Sequence, residues 1–70
     1  MNFDTILLDV ADGVATLTLN RPETLNALNR QLIEDMTAAL DKIEADEDIR
    51  CLLITGAGRG FCSGADLADP

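Results

Sequence analysis

Two stretches near the start of the chain show the two-residue alternation of apolar and polar side chains that is typical of half-buried strands, over residues 3–10 and 14–20. The positions that this alternation places on the inner faces are Ile6, Leu8, Val10, Ala15, Leu17 and Leu19. Between the stretches lies Ala11-Asp12-Gly13, where glycine accepts a positive φ and aspartate can bond its own backbone. The pattern predicts a β-hairpin.

The spacing of apolar residues becomes helical after Arg21-Pro22, where proline ends the second strand because it has no N–H for a strand ladder. A loop runs to Ala27 or Leu28, and Asn29 is the expected N-cap of one amphipathic helix. Its apolar face is predicted to contain Leu32, Ile33, Met36, Leu40 and Ile43. Its polar face is predicted to contain Glu34, Asp35 and Glu44. The helix should end across 45–48, where three acidic residues oppose its macrodipole and form a solvated loop.

A third strand is predicted over residues 50–55, where Cys-Leu-Leu-Ile is apolar on both faces. Such a strand is expected to be buried in a sheet that is covered on both sides. Because it follows a strand and a crossover helix, it should run parallel to its neighbour. The fold class is therefore α/β, with a hairpin, one helix, one buried strand and a flexible glycine-rich loop over 56–60.

Length and charge restrict the classes of function. The chain has 70 residues, enough for one small domain, and 13 acidic residues against 5 basic ones give a net charge of −8. Because phosphate binding needs clustered Lys and Arg side chains, and those here are scattered, no nucleic-acid partner is expected. No apolar run reaches the roughly 18 residues of a membrane helix, and the first residues lack the pattern of a signal peptide. We expect a soluble, cytoplasmic protein with no membrane partner.

The cysteines indicate no metal centre. Cys51 and Cys62 are too few and too far apart for a zinc site, and the sequence has no histidine to complete one. We expect two reduced thiols, buried or half-buried, and no metal. The absence of histidine also excludes Ser-His and Cys-His nucleophile pairs within these residues.

Three glycines follow the third predicted strand, at Gly56, Gly58 and Gly60. A dinucleotide-binding fingerprint would need a further glycine where Phe61 stands, and a P-loop would need Gly-Lys in place of Phe61-Cys62. A nucleophile elbow at Ser63 would need glycines where Phe61 and Ala65 stand. Two interpretations remain: small residues that let main-chain N–H groups approach an oxyanion or carbonyl, or a surface turn that needs small residues only for its shape.

Three segments, in this order and at this spacing, resemble the N-terminal part of the enoyl-CoA hydratase/isomerase (crotonase) family. They are Val-Ala-Thr-Leu-Thr-Leu-Asn-Arg-Pro at 14–22, Leu-Asn-Ala-Leu-Asn at 25–29, and Leu-Leu-Ile-Thr-Gly-Ala-Gly-Arg-Gly-Phe-Cys-Ser-Gly-Ala-Asp-Leu at 52–67. The resemblance covers essentially the whole chain. It is specific for the family and weakly specific for the reaction, because hydratases, isomerases, dehalogenases, hydrolases and ring-forming synthases share these motifs.

The resemblance implies an acyl-CoA thioester as substrate, with no other cofactor, and stabilisation of an enolate-like anion. The catalytic group it implies here is the main-chain N–H of Ala65, one of two oxyanion-hole donors. The CoA-binding residues it implies are Ala27, Ser63, Gly64, Ala65, Asp66 and Leu67, mostly through main-chain groups. Asp66 has a second interpretation as the cap of a following helix. Asn26 and Asn29 are interpreted as turn and cap residues.

Charge departs from the family pattern at Glu23, where some relatives place a Lys or Arg toward a CoA phosphate. Local cations at Arg21, Arg30 and Arg59 could offset this, or could be solvated surface arginines.

The resemblance also implies that residues 1–70 are a partial crotonase-like domain, because the family's second oxyanion donor and its acid/base carboxylates come later in a longer chain. The intact protein is then expected to be a lyase that adds water to a 2-enoyl thioester, as a homotrimer or hexamer, with the isolated chain inactive. The alternative is a non-catalytic fragment that binds CoA or pairs with another crotonase-like chain.

Overall fold

The computed structural model describes residues 3–62 and residue 64. Its elements are strands β1 (Ile6–Ala11) and β2 (Val14–Leu19), a 3-10 turn (Pro22–Thr24), helix α1 (Arg30–Ala45) and strand β3 (Cys51–Gly56). Within this described part, no helix has the length and apolarity that crossing a bilayer requires.

The predicted hairpin is confirmed. β1 and β2 pair antiparallel, from Ile6 opposite Leu19 to Ala11 opposite Val14. The two residues between them, Asp12 and Gly13, have φ of 52° and 79°. Positive φ at both central positions is the geometry of a type I′ turn, whose twist matches that of the flanking strands, and Asp-Gly is one of the pairs that favour it.

β3 lies beside β2 and parallel to it, as predicted, so the sheet order is β1-β2-β3. The pairing runs from Val14 opposite Cys51 to Leu19 opposite Gly56. β2 is therefore the central strand, and β3 is an edge strand within the described residues.

The core lies between α1 and the helix-facing side of the hairpin. Its buried members are Ile6, Leu17, Leu19, Leu32 and Ala39. The inward positions predicted on β2 are all buried, whereas those on β1 change along the strand from buried Ile6 to half-buried Leu8 and 47% exposed Val10. Leu8 and Val10 line an open groove of about 220 Å³ against the C-terminal end of α1.

Helix α1 begins as predicted. The Asn29 side chain accepts a hydrogen bond from the Leu32 N–H at 2.8 Å, which satisfies one of the free donors of the first turn. The helix ends at Ala45, and in the acidic run that follows the Asp48 N–H donates to the Asp46 side chain at 2.9 Å.

The predicted division of α1 into apolar and polar faces was wrong at three positions. Asp35 is buried, and Ile33 and Leu40 are 53% and 39% exposed. The stripe that faces the hairpin runs through Leu32, Asp35 and Ala39, at i, i+3 and i+7, so Ile33 and Leu40 are turned about 100° away from it. Asp35 is accommodated there because Thr5 donates to its carboxylate through both N–H (2.9 Å) and hydroxyl (2.7 Å).

The burial predicted for the third strand was also wrong. Leu52, Leu53 and Ile54 are 37%, 54% and 38% exposed. Within the described residues, the strand lies at the edge of the sheet, and the core cluster that α1 forms with the hairpin contains no residue of β3. The same exposure affects Cys51, which is exposed rather than buried, whereas Cys62 is half-buried as expected; both are free thiols.

Candidate functional site

Two loops leave the sheet at the carboxyl ends of the parallel strands β2 and β3. Loop A comprises residues 20–29 after β2, and loop B comprises residues 57–64 after β3, described at 57–62 and 64. They start side by side because β2 and β3 are parallel and end in register, and the first residue of loop B, Ala57, donates its N–H to the Leu19 carbonyl at 2.8 Å. The carboxyl ends of adjacent parallel strands are where open α/β sheets bind ligands.

Asn26 joins the two loops through its side chain, which is fully buried. The carboxamide nitrogen donates to the carbonyls of Ala57 (3.1 Å) and Gly60 (2.9 Å) in loop B. The carboxamide oxygen accepts from the Arg21 N–H at 2.7 Å in loop A. Each hydrogen-bonding arm of the amide therefore has a partner, which makes this link stable in a buried position.

Glycines in loop B and at its start allow this close approach. A Cβ at Gly56 would lie 2.6 Å from the Phe61 carbonyl oxygen and 2.8 Å from the Asn26 amide nitrogen, so no side chain fits there. Gly58, with φ +80°, faces Pro22 of loop A, whose Cβ would lie 2.9 Å from an added Cβ. Gly56 and Gly58 are thus required for the packing of the loops against each other.

The second link between the loops is a main-chain hydrogen bond. The Leu28 N–H donates to the Gly64 carbonyl at 2.7 Å. This bond brings together the only two predicted ligand-binding residues within the described part of the chain, Gly64 and Ala27, the latter being the immediate neighbour of Leu28. The other predicted site residues lie outside the described residues: Ser63, Ala65, Asp66 and Leu67.

Ala27 is buried and held by its own loop. Its N–H donates to the Thr24 carbonyl at 3.2 Å, and its carbonyl accepts from the Arg21 Nη1. A carbonyl oxygen has two lone pairs, and the contact with Arg21 uses one of those of Ala27. Arg21 is half-buried and donates to the Ala27 carbonyl, so of the two interpretations left open for the arginines it does not fit that of a solvated surface residue; Arg30 and Arg59 are exposed.

The contacts made by the side chains of Asn26 and Arg21 could not be found from the sequence. Asn26 was interpreted as a turn residue, which its φ of 58° supports, but its contacts lie 31 and 34 residues away and have no local signal. The contact of Arg21 with Ala27 depends on the path of loop A, which includes two consecutive left-handed residues, Leu25 and Asn26.

The chemistry offered by the described part of the two loops is hydrogen bonding by main-chain groups. Their single carboxylate, Glu23, is exposed. The carboxylate nearest the core, Asp35, is used elsewhere: burial raises its pKa, but hydrogen bonds from Thr5 and Gln31 outweigh this and hold the pKa below its ordinary value. General acid/base catalysis by these residues is therefore not indicated.

Comparison with known proteins places the chain in a family. Residues 9–70 match the model of the family described as enoyl-CoA hydratase/isomerase. The chain belongs to this family. Among its relatives are the 1,2-epoxyphenylacetyl-CoA isomerase of Escherichia coli (strain K12), 56% identical over 91% of this chain and 24% of that protein, and a probable enoyl-CoA hydratase of Rhodobacter capsulatus, 45% identical over 99% and 26%.

Solved structures of enoyl-CoA hydratase/isomerase proteins have the same fold. Those from Mycobacterium paratuberculosis and Xanthobacter autotrophicus Py2 superpose with TM-scores of 0.91 and 0.92, at 48% and 42% identity, over 94% and 96% of this chain. The sheet and helix described above match the N-terminal part of these crotonase folds. The chain spans about a quarter of the length of the relatives it matches. The predicted family and fold class are confirmed.

Proposed function

We propose that loops A and B bind an acyl-CoA thioester and that the main-chain N–H of Ala65 donates to the thioester oxygen. The observation that supports this most is the double link between the loops, through the Asn26 side chain and the Leu28–Gly64 hydrogen bond. It holds Gly64, the residue before Ala65, against loop A beside Ala27, whose carbonyl we propose as a hydrogen-bond acceptor for the ligand. The proposed N–H donor at Ala65 suits a ligand that is recognised by its carbonyl, whereas the Ala27 carbonyl can only accept from an N–H or O–H of the ligand.

The donor at Ala65 stabilises charge that develops during the reaction. When a proton leaves or water adds next to the thioester, negative charge accumulates on its oxygen. One preorganised donor aimed at such an oxygen contributes about 2.7 to 4 kcal/mol. The contacts proposed for the rest of the CoA thioester are Ala27, Ser63, Gly64, Asp66 and Leu67.

Hydration of a 2-enoyl-CoA is the reaction we propose for the intact protein, as a homotrimer or hexamer in the cytoplasm. Isomerisation of a CoA thioester is the second candidate, favoured by the 56% identity with the E. coli isomerase. Both need the same enolate stabilisation. Three carboxylates of α1 are not proposed as the acid or base, because Glu34 and Glu44 are exposed and Asp35 is held by Thr5 and Gln31.

The experiment that tests the proposal is calorimetric titration of the 70-residue chain with a 3-oxoacyl-CoA, whose thioester is readily enolised, and with free CoA. We expect tighter binding of the 3-oxoacyl-CoA. Ala65→Pro removes the N–H and should lower this preference by at least about tenfold, a loss of about 1.4 kcal/mol. Ala65→Ser keeps the N–H and is the matched control.

Three results would separate the candidates. Loss of the preference in Ala65→Pro and its retention in Ala65→Ser supports the oxyanion donor. An unchanged preference in Ala65→Pro contradicts it. Equal affinity of the unmodified chain for both ligands supports the alternative of a non-catalytic CoA-binding module.

A further inference from the structure

We propose that the Asn26 carboxamide is a positioning residue for the oxyanion donor at Ala65. Its side chain belongs to loop A and fixes the conformation of loop B, and it does not contact the ligand. The inference rests on the proposed function, because the donor is proposed there.

The hydrogen bonds of Asn26 require a carboxamide. Its two partners in loop B, the carbonyl oxygens of Ala57 and Gly60, can only accept, and its partner in loop A, the Arg21 N–H, can only donate. A residue here must therefore offer two N–H groups and one acceptor within a fully buried space. An ionised aspartate of the same shape would keep the contact with Arg21 and would direct an oxygen at two carbonyl oxygens.

The backbone at Asn26 also favours this residue type. Leu25 and Asn26 both have left-handed φ, 54° and 58°, a region that asparagine enters more readily than most residues. The turn they form returns the Asn26 N–H to the Arg21 carbonyl at 2.8 Å. Asn26 thus combines a tight turn in loop A with a side chain that binds loop B.

The link reaches the proposed donor through the main chain of loop B. The Asn26 side chain holds this loop at residues 57 and 60, and the Leu28 N–H, two residues along loop A, holds it at the Gly64 carbonyl. A peptide unit is planar, so a bond that holds a carbonyl also restrains the direction of the N–H in the same unit. We infer that loop A in this way orients the amide that follows Gly64.

The test compares Asn26→Asp with Asn29→Asp. Both substitutions add one negative charge with a nearly identical side chain, and Asn29, the N-cap of α1, is not among the proposed ligand contacts. Asn29 only accepts, from the Leu32 N–H, and aspartate is an equally good N-cap, so Asn29→Asp should behave as the unmodified chain. Asn26→Asp loses both donors to loop B.

The measured quantity is the ratio of affinities for a 3-oxoacyl-CoA and for free CoA, by calorimetry. We expect Asn26→Asp to lower this ratio by about tenfold or more, and Asn29→Asp to leave it within about twofold. Added charge that merely weakens binding of the polyanionic CoA would lower both affinities together and leave the ratio unchanged, which would overturn the inference.

A second variant covers the case in which Asn26→Asp fails to fold. Asn26→Gly keeps the left-handed backbone accessible and adds no charge, and the same lowered ratio is expected. Loss of folding in both variants would overturn the inference, because the amide would then support the whole fold rather than loop B. If the unmodified chain shows no preference for the 3-oxoacyl-CoA over free CoA, the proposed function is contradicted, and so is this inference, which rests on it.

Discussion

β2 and β3 are neighbouring six-residue strands, yet they differ sharply in burial. Three of the side chains of β2, Ala15, Leu17 and Leu19, are at most 2% exposed. On β3 the consecutive residues Leu52, Leu53 and Ile54 are 37–54% exposed. The two strands are therefore paired by parallel hydrogen bonds, but only β2 contributes side chains to the core.

The difference shows that apolar residues make a strand able to be buried on both faces. Whether its side chains are in fact buried depends on the strands and helices that pack against it. β2 has a strand on each side and α1 over one face. Within the described residues β3 has β2 alone. An apolar strand at an open edge favours association with other chains.

The buried face of β2 should tolerate truncation of a side chain far less than the exposed face of β3. Leu17→Ala should lower the free energy of unfolding by about 2 to 5 kcal/mol, because it leaves a cavity in the core. A domain of this size has only about 3 to 5 kcal/mol available, so Leu17→Ala should leave most of the chain unfolded at 25 °C. Urea unfolding followed by circular dichroism measures this.

The matched substitution is Leu53→Ala on β3. Its side chain is more than half exposed, so the expected loss is below about 1 kcal/mol. Equal losses at the two positions would mean that β3 is buried in solution, and the comparison would be wrong.

A substitution at the end of β3 should destabilise the chain more than one in the middle of the strand. Gly56→Ala places a methyl group less than 3 Å from the carbonyl oxygens of Phe61 and Gly60, and should cost about 3 kcal/mol through overpacking. At Gly60 the nearest atom to an added Cβ is the Leu25 Cβ at 3.5 Å, an ordinary contact. Gly60→Ala should therefore unfold near the same urea concentration as the unmodified chain. If Gly60→Ala lowered the free energy of unfolding as much as Gly56→Ala, the described packing of the loops would be wrong.

The contact between α1 and the residue before β1 should depend on pH. Asp35→Asn removes the charge that Thr5 and Gln31 bind and should cost about 1.5 kcal/mol at pH 7. The folded pKa of Asp35 lies below its ordinary value of 3.8, so its contribution is present above that value and is lost as the pH falls toward the folded pKa.

The stability difference between the unmodified chain and Asp35→Asn should therefore be constant above about pH 5 and shrink below pH 3.8. Glu34→Gln, the same charge change at an exposed neighbouring position, is the control and should show no such difference. A difference that persists unchanged to pH 2 would mean that the buried contact does not involve the ionised carboxylate.

The smallest effect is expected at the start of α1. Asn29→Ala should lower the free energy of unfolding by about 1 kcal/mol because the Leu32 N–H loses its acceptor, and Asn29→Asp should restore it. Thermal unfolding of the three proteins measures this, and equal melting temperatures would argue against the cap.

The fold was predictable where local chemistry determines it. The Asp-Gly turn, the Asn29 cap and the strand alternation each depend on residues close in sequence, and each was predicted. The errors at Asp35 and β3 have a different cause: the partner of Asp35 is Thr5, 30 residues away, and the exposure of β3 depends on its place in the sheet order.

The site was predictable in part, from two sources. The glycine pattern indicated one loop of small residues after the third strand, and the family resemblance added Ala27 from the other loop. The structure links Gly64 to Leu28, the neighbour of Ala27. The amide that holds these loops, Asn26, was assigned to a turn, since nothing near it in sequence shows that it binds residues 57 and 60.

The donor role of Ala65 can be observed at its own amide, through its shift in the nuclear magnetic resonance spectrum during titration with a 3-oxoacyl-CoA. A donor to the thioester oxygen should show a saturable downfield shift of its own N–H that free CoA does not produce. An Ala65 amide signal that does not shift when the chain is saturated with the 3-oxoacyl-CoA would show that Ala65 is not the donor to the thioester oxygen.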